Sequence, residues 1–105
     1  MNPRIRPILD ELKAGLEELY GDRLDRVILY GSQARGDSGP ESDIDVLVVL
    51  REPFDTVREL QRVVHLTTAL DIRHGVAITP VMRTSADVEL SHAFYRNVMH
   101  EGVRI

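Results

Sequence analysis

Two carboxylates, a glycine and a serine stand in this sequence at a spacing that core packing alone does not require. Gly31-Ser32 closes a short apolar run, and ten residues lie between Ser32 and Asp43-Ile44-Asp45, which opens a longer one. In an extended strand, side chains two positions apart share a face roughly 7 Å apart, so Asp43 and Asp45 would project together from an otherwise aliphatic element. Two neighbouring carboxylates repel. Either one keeps its proton or a divalent cation accepts an oxygen from each, and Mg²⁺ suits the pair because it takes oxygen ligands from one or two carboxylates and from substrate phosphates. Gly31 lets the backbone approach a ligand without a Cβ in the way, and Ser32 at a helix start meets an anion with N–H groups and the helix dipole. Arg35, one turn later, can reach the same anion. Together these residues describe a nucleoside triphosphate held by backbone and serine on one side and by metal on the other.

Each half has a plainer reading when it occurs alone. Aspartates are common where strands meet turns, and Gly-Ser after a strand is an ordinary turn and helix cap. The joined pattern of strand, Gly-Ser, polar loop and Asp-x-Asp is far more specific than either part. A phosphate-binding P-loop is excluded: Gly31 and Gly36 have its spacing, but Asp37 stands where that motif needs lysine.

The elements that must position these residues follow from periodicity. Pro7 begins a segment with Ile8, Leu9, Leu12, Leu16 and Leu19 at helical spacing, stopped by Gly21. After the charged connector Asp22 to Arg26, Val27 to Tyr30 reads as a strand, and Ser32 can cap a short helix that ends before Gly36. Asp37 to Ser42 contains only turn formers and reads as a surface loop. Ile44 to Leu50 is almost unbroken aliphatic, the pattern of a strand covered on both faces, which calls for helices on both sides or a partner on one. Pro53 and Asp55 open a helix with Val57, Leu60, Val63, Val64, Ala69 and Leu70 inward, ending near His74-Gly75. Val76 to Met82 reads as a third strand, with Pro80 marking an edge or a bulge. Thr84 or Ser85 can cap a last helix through Met99, and residues 102–105 can form a terminal strand. The order α-β-α-β-α-β-α-β, with no repeat and no linker, predicts one α/β domain over residues 1–105.

Composition narrows the classes further. With 105 residues there is room for a single core but not for an enclosed active site, so a substrate must lie in an open cleft or be shared with another molecule. Seventeen acidic against 13 basic residues give a net charge of −4, which argues against dedicated binding of duplex DNA. The absence of cysteine excludes disulfides, thiolate metal sites and cysteine nucleophiles. No segment reads as a signal peptide or a membrane span, so the expectation is a soluble cytoplasmic protein without membrane contact.

Gly31-Ser32-Gln33-Ala34-Arg35-Gly36, followed by Ser42-Asp43-Ile44-Asp45-Val46-Leu47-Val48, resembles the signature of the nucleotidyltransferase superfamily related to DNA polymerase beta, and in particular the minimal nucleotidyltransferases of bacteria and archaea. The resemblance spans essentially the whole chain. It implies a polymerase beta-like palm: a mixed sheet of about four strands flanked by helices. It also implies Mg²⁺-dependent transfer of a nucleoside monophosphate from ATP or another nucleoside triphosphate to a hydroxyl, with pyrophosphate leaving. By the same resemblance Gly31 and Ser32, with Arg35, bind the triphosphate, while Asp43 and Asp45 are the catalytic metal ligands. Many members pair with a small helical protein of the HEPN/HEPT type, some as the antitoxin that adenylylates it. The family's third carboxylate, on the next strand, aligns with Ala77. A chain lacking it would be slow, would borrow Asp71 or a partner's group, or would act by binding nucleotide and partner alone. Transfer to a small molecule such as an aminoglycoside ranks lower, because such enzymes carry an added acceptor domain. Oligomerisation is left open.

The remaining polar residues have simpler readings. His65, His74, His92 and His100 lack metal-ligand spacing, and His92 with His100 reads as a solvated helix face. Arg58 and Arg62, one turn apart, could meet phosphates or an acidic partner but read first as an exposed helix face. Phe94, Tyr95 and Met99 are most simply core or interface.

Overall fold

The computed structural model describes residues 3–36, 43–89 and 93–105. The expected loop Asp37 to Ser42 and the reading of His92 lie outside them, as does the side chain of Phe94. After a 3-10 turn at Pro3–Ile5 the elements are α1 (Arg6–Tyr20), β1 (Leu24–Tyr30), α2 (Ser32–Arg35), β2 (Ile44–Leu50), α3 (Thr56–His74), β3 (Ile78–Thr84), α4 (Ser85–Glu89), α5 (Ala93–Glu101) and β4 (Val103–Arg104). The sheet has the order β3-β2-β1-β4. β1 runs antiparallel to β2 and β4, while β2 and β3 are parallel, as the intervening helix α3 requires.

β2 is buried from end to end except at Asp45, and its two faces look into different cores. Ile44, Val46, Val48 and Leu50 pack with Leu9, Leu12 and Leu16 of α1 and with Val63 and Leu70 of α3. Leu47 and Val49 face the other way, against Val88 of α4 and Tyr95 and Val98 of α5. Helices therefore cover both sides, the first of the two alternatives the aliphatic run allows.

Several boundaries differ from expectation for local reasons. β1 begins at Leu24 because its charged residues are satisfied where they stand: Ser85 Oγ donates to Asp25 Oδ2 at 2.6 Å, and Arg26 Nη2 lies 3.3 Å from the same oxygen. The register with β2 shifts between Leu24 and Arg26, so the bulge absorbs Asp25. Thr84, not Ser85, makes the cap, with its Oγ1 accepting from Asp87 N–H at 3.1 Å. Within the expected last helix the described residues form α4 and α5, and residues 90–92 lie outside the described residues. Within α1, Leu19 is 41% exposed because Tyr20 takes the buried place in the last turn and its hydroxyl donates to the Glu59 carbonyl.

The largest correction concerns α3. Asp55 caps it as expected, its side chain accepting from Arg58 N–H. The face turned to the core carries Glu59, Val63, Thr67 and Leu70. Val57, Leu60, Val64 and Ala69 point outward, Val57 being 66% exposed, whereas Val63 is fully covered. Glu59 occupies a core position with its carboxylate paired to Arg23 Nη2 at 2.7 Å. Val63→Ala is therefore expected to cost about 2 kcal/mol in urea denaturation, whereas Val57→Ala stays within about 0.5 kcal/mol of wild type.

Candidate functional site

β1 ends where β2 begins to expose its carboxylates. The antiparallel register places Tyr30 opposite Asp45, and the next residue, Gly31, turns the chain into α2. Gly31 has φ 74° and ψ −156°, a conformation open essentially to glycine alone. A Cβ on this residue would lie 2.6 Å from Asp45 Oδ2, so the turn backbone passes directly against the carboxylate. The two halves of the sequence pattern are thus in contact.

Ser32 is the first residue of α2 and makes no capping hydrogen bond; the capping position belongs to Gly31, which corrects the expectation of a serine cap. α2 is one turn long, closed by Arg35 N–H to the Gly31 carbonyl at 3.2 Å and Gly36 N–H to the Ser32 carbonyl at 3.0 Å. With so short a helix the macrodipole is small, and the turn offers an anion its backbone amides and the Ser32 hydroxyl. Arg35 is exposed and close enough to Asp45 for its charge to favour the ionised carboxylate.

Asp43 and Asp45 lie on the face of β2 shared with Leu47 and Val49, toward α5. Asp43 is exposed at the head of the strand and Asp45 is half-buried. Burial pushes the Asp45 carboxyl above its ordinary range and the Asp43 charge pushes it further, with Arg35 offsetting part of the rise. A hard divalent cation fits this pair, because it would relieve that repulsion with two oxygen ligands. Among the described residues there is no cluster of three or more His, Asp or Glu side chains arranged to hold a metal.

The parallel register explains why. Ile44 pairs with Ile78, and Ile44 N–H donates to the Ala77 carbonyl at 2.8 Å, so position 77 stands beside position 43. Ala77 brings no oxygen there. Asp71 does not replace it: its Oδ1 accepts from Ile78 N–H at 2.9 Å. Ala77 turns its carbonyl to β2, so the intervening Ile78 N–H faces the open edge of the sheet, and Asp71 sits on that edge.

Three neighbours escape sequence reading. Thr79 pairs with Asp45 across the parallel ladder and presents a hydroxyl on the same face. Tyr30 flanks Asp45 on the other side; burial raises its hydroxyl pKa, the Asp45 charge adds to the rise, and Arg83 opposes it. The position of Tyr30 immediately before Gly31 is the one signal that could have singled it out, whereas Thr79 and Arg83 need the register. Of the four histidines, His74 pairs with Glu11 and His65 lies on the exposed side of α3, neither near the carboxylates.

Because the folded state holds the Asp45 proton more tightly than the unfolded chain does, ionising this group works against folding. That cost is absent below the carboxylate range and complete at neutral pH. Asp45→Asn is accordingly expected to raise Tm by a few degrees at pH 7, and the gain should shrink toward zero as the pH falls through the carboxylate range in parallel melts.

Comparison with known proteins gives a consistent set of relatives. Residues 9–79 match the model of the nucleotidyltransferase domain. Two relatives carry the qualifier "putative" in their names. One is a protein adenylyltransferase of Methanocaldococcus jannaschii, 33% identical over 93% of this chain and 95% of its own. The other is a minimal nucleotidyltransferase of solved structure, 25% identical over 96% of this chain and 95% of its own, with a TM-score of 0.64. A toxin–antitoxin structure with AMP-PNP shares the fold at 18% identity, covering 89% of this chain and 68% of its own with a TM-score of 0.60.

Proposed function

The chain belongs to the nucleotidyltransferase domain family, and from that premise we propose that it transfers AMP from ATP to a hydroxyl on a partner protein. The observation that carries this reading is the contact of the Gly31 backbone with the Asp45 carboxylate, which joins a phosphate-binding turn to a pair of metal-binding side chains. In the reaction the acceptor hydroxyl oxygen forms a bond to the α-phosphorus and the bond to the α–β bridging oxygen breaks. Its electron pair leaves with pyrophosphate, and the hydroxyl proton passes to solvent.

The residues divide the work by chemistry. Backbone N–H groups of the turn and the Ser32 hydroxyl bind the triphosphate, whose close approach depends on Gly31 having no side chain. Arg35 adds positive charge on the same side. Asp43 and Asp45 would hold Mg²⁺, which when bound neutralises phosphate charge and activates the attacking oxygen. The acceptor comes from another molecule. A small helical HEPN/HEPT toxin is the partner we favour, supported by the adenylyltransferase name of the Methanocaldococcus jannaschii relative and the shared fold of the toxin–antitoxin structure. Dependence on ATP suits a cytoplasmic setting.

Ala77 favours a second reading, in which the chain neutralises its partner by contact with bound nucleotide and little or no transfer. Label from α-labelled ATP, offered with Mg²⁺ and the co-encoded partner, separates the two. Transfer is expected from the native chain, with a loss of about 10²–10³-fold or more in Asp43→Asn/Asp45→Asn. No transfer by the native chain, together with intact neutralisation by the double variant, would establish the second reading instead.

A further inference from the structure

α3 carries a surface that the transfer chemistry does not use. Val57, Leu60, Val64 and Ile72 recur at intervals of three, four and eight residues along its solvent side, Ile72 being 81% exposed. They line one stripe, and an open hollow of about 620 Å³ lies along it. From Val57 to Ile72 the stripe is about 22 Å long at 1.5 Å per residue, enough to receive four turns of another helix.

The border of this stripe has one sign of charge. Arg58 and Arg62 follow its length with His65 beside them, Arg62 also lying 3.7 Å from the buried Glu59 carboxylate, and the only two carboxylates of α3 are withdrawn from the stripe. Glu59 is buried against Arg23, and Asp71 is tied to the Ile78 N–H. In a chain of net charge −4, the exposed side of α3 thus offers apolar and basic groups without a free carboxylate.

We propose that the outer face of α3 is a docking surface for an amphipathic helix of a second protein whose apolar ridge is bordered by Asp and Glu. Electrostatic complementarity selects such a partner and sets its register, while the apolar stripe provides the area removed from water. Self-pairing is disfavoured, since a second copy of α3 would bring no free carboxylate to Arg58 and Arg62. A lipid surface is disfavoured too, as α3 has none of the Trp, Tyr or Phe residues that anchor interfacial helices. The stripe lies on the α1–α3 side of the sheet, opposite the face that carries Asp43 and Asp45, so a docked helix leaves the nucleotide site open. This inference rests on no step of the proposed transfer.

The test places a photo-crosslinking amino acid at Val64 of the full chain in the cells that make it, and identifies by mass spectrometry both the captured protein and the linked segment. The expected product joins position 64 to an amphipathic segment bordered by acidic residues. Adding Arg58→Glu and His65→Glu is expected to lower its yield at least fivefold while thermal stability and nucleotide binding stay at wild-type values. A product with a second copy of this chain, with lipid, or with a segment lacking acidic borders would overturn the proposal. So would the absence of any product, or a yield indifferent to the two substitutions. Loss of nucleotide transfer with the adduct intact would count against the proposed reaction and leave this surface standing.

Discussion

The close approach of the Gly31 backbone to the Asp45 carboxylate is the contact on which the rest of the site depends. Side chains alone could not make it. The strand β1 must turn within one residue, in a conformation that only glycine holds without strain, and any side chain there would fill the space the carboxylate occupies. The rest of the domain keeps these two points together: β1 and β2 are the inner strands of the sheet, and both are covered on both faces. Rigid neighbours on every side are what hold a half-buried carboxylate next to backbone amides and another carboxylate, an arrangement that repulsion would otherwise open.

The same geometry makes the site incomplete by itself. Two oxygen-bearing side chains project from β2, and the next strand offers Ala77 beside Asp43 and Thr79 beside Asp45. Burial, and after it the Asp43 charge, holds the Asp45 carboxyl above its ordinary range, with Arg35 opposing the rise. Asp43 is exposed at the end of the sheet, and in the proposed reaction the acceptor comes from another molecule. The acidic balance of the chain is compatible with the proposed chemistry, in which backbone, Arg35 and metal rather than a basic surface would meet the phosphates.

How much of this was legible in the sequence depended on whether a residue's role was local. The order of elements, the two-sided burial of β2 and the edge position of Pro80 followed from runs of residue types, and the family resemblance followed from Gly31-Ser32 with Asp43 and Asp45. The phase of α3 did not: Glu59, paired with Arg23 from 36 residues away in the chain, is buried on the face of Val63 and Leu70, and Val57, Leu60 and Val64 face outward. Leu24 to Arg26 looked like a connector because charged residues disfavour a strand until partners such as Ser85 are supplied by tertiary structure. Thr79 could be placed beside Asp45, and Arg83 in reach of Tyr30, only through strand register, which one sequence does not contain. Ala77 is the reverse case: the family resemblance singles out this position in the sequence, and the register sets it beside Asp43.

The most direct test of the Gly31–Asp45 contact is a calorimetric titration of the wild-type chain and of Gly31→Ala with a non-hydrolysable ATP analogue and Mg²⁺, each with a matched run in chelator. The predicted result is saturable binding by wild type that requires the divalent cation, and a folded Gly31→Ala protein whose affinity is at least tenfold lower, about 1.4 kcal/mol. Equal affinity in the two proteins, or wild-type binding that is unchanged in chelator, would contradict the account.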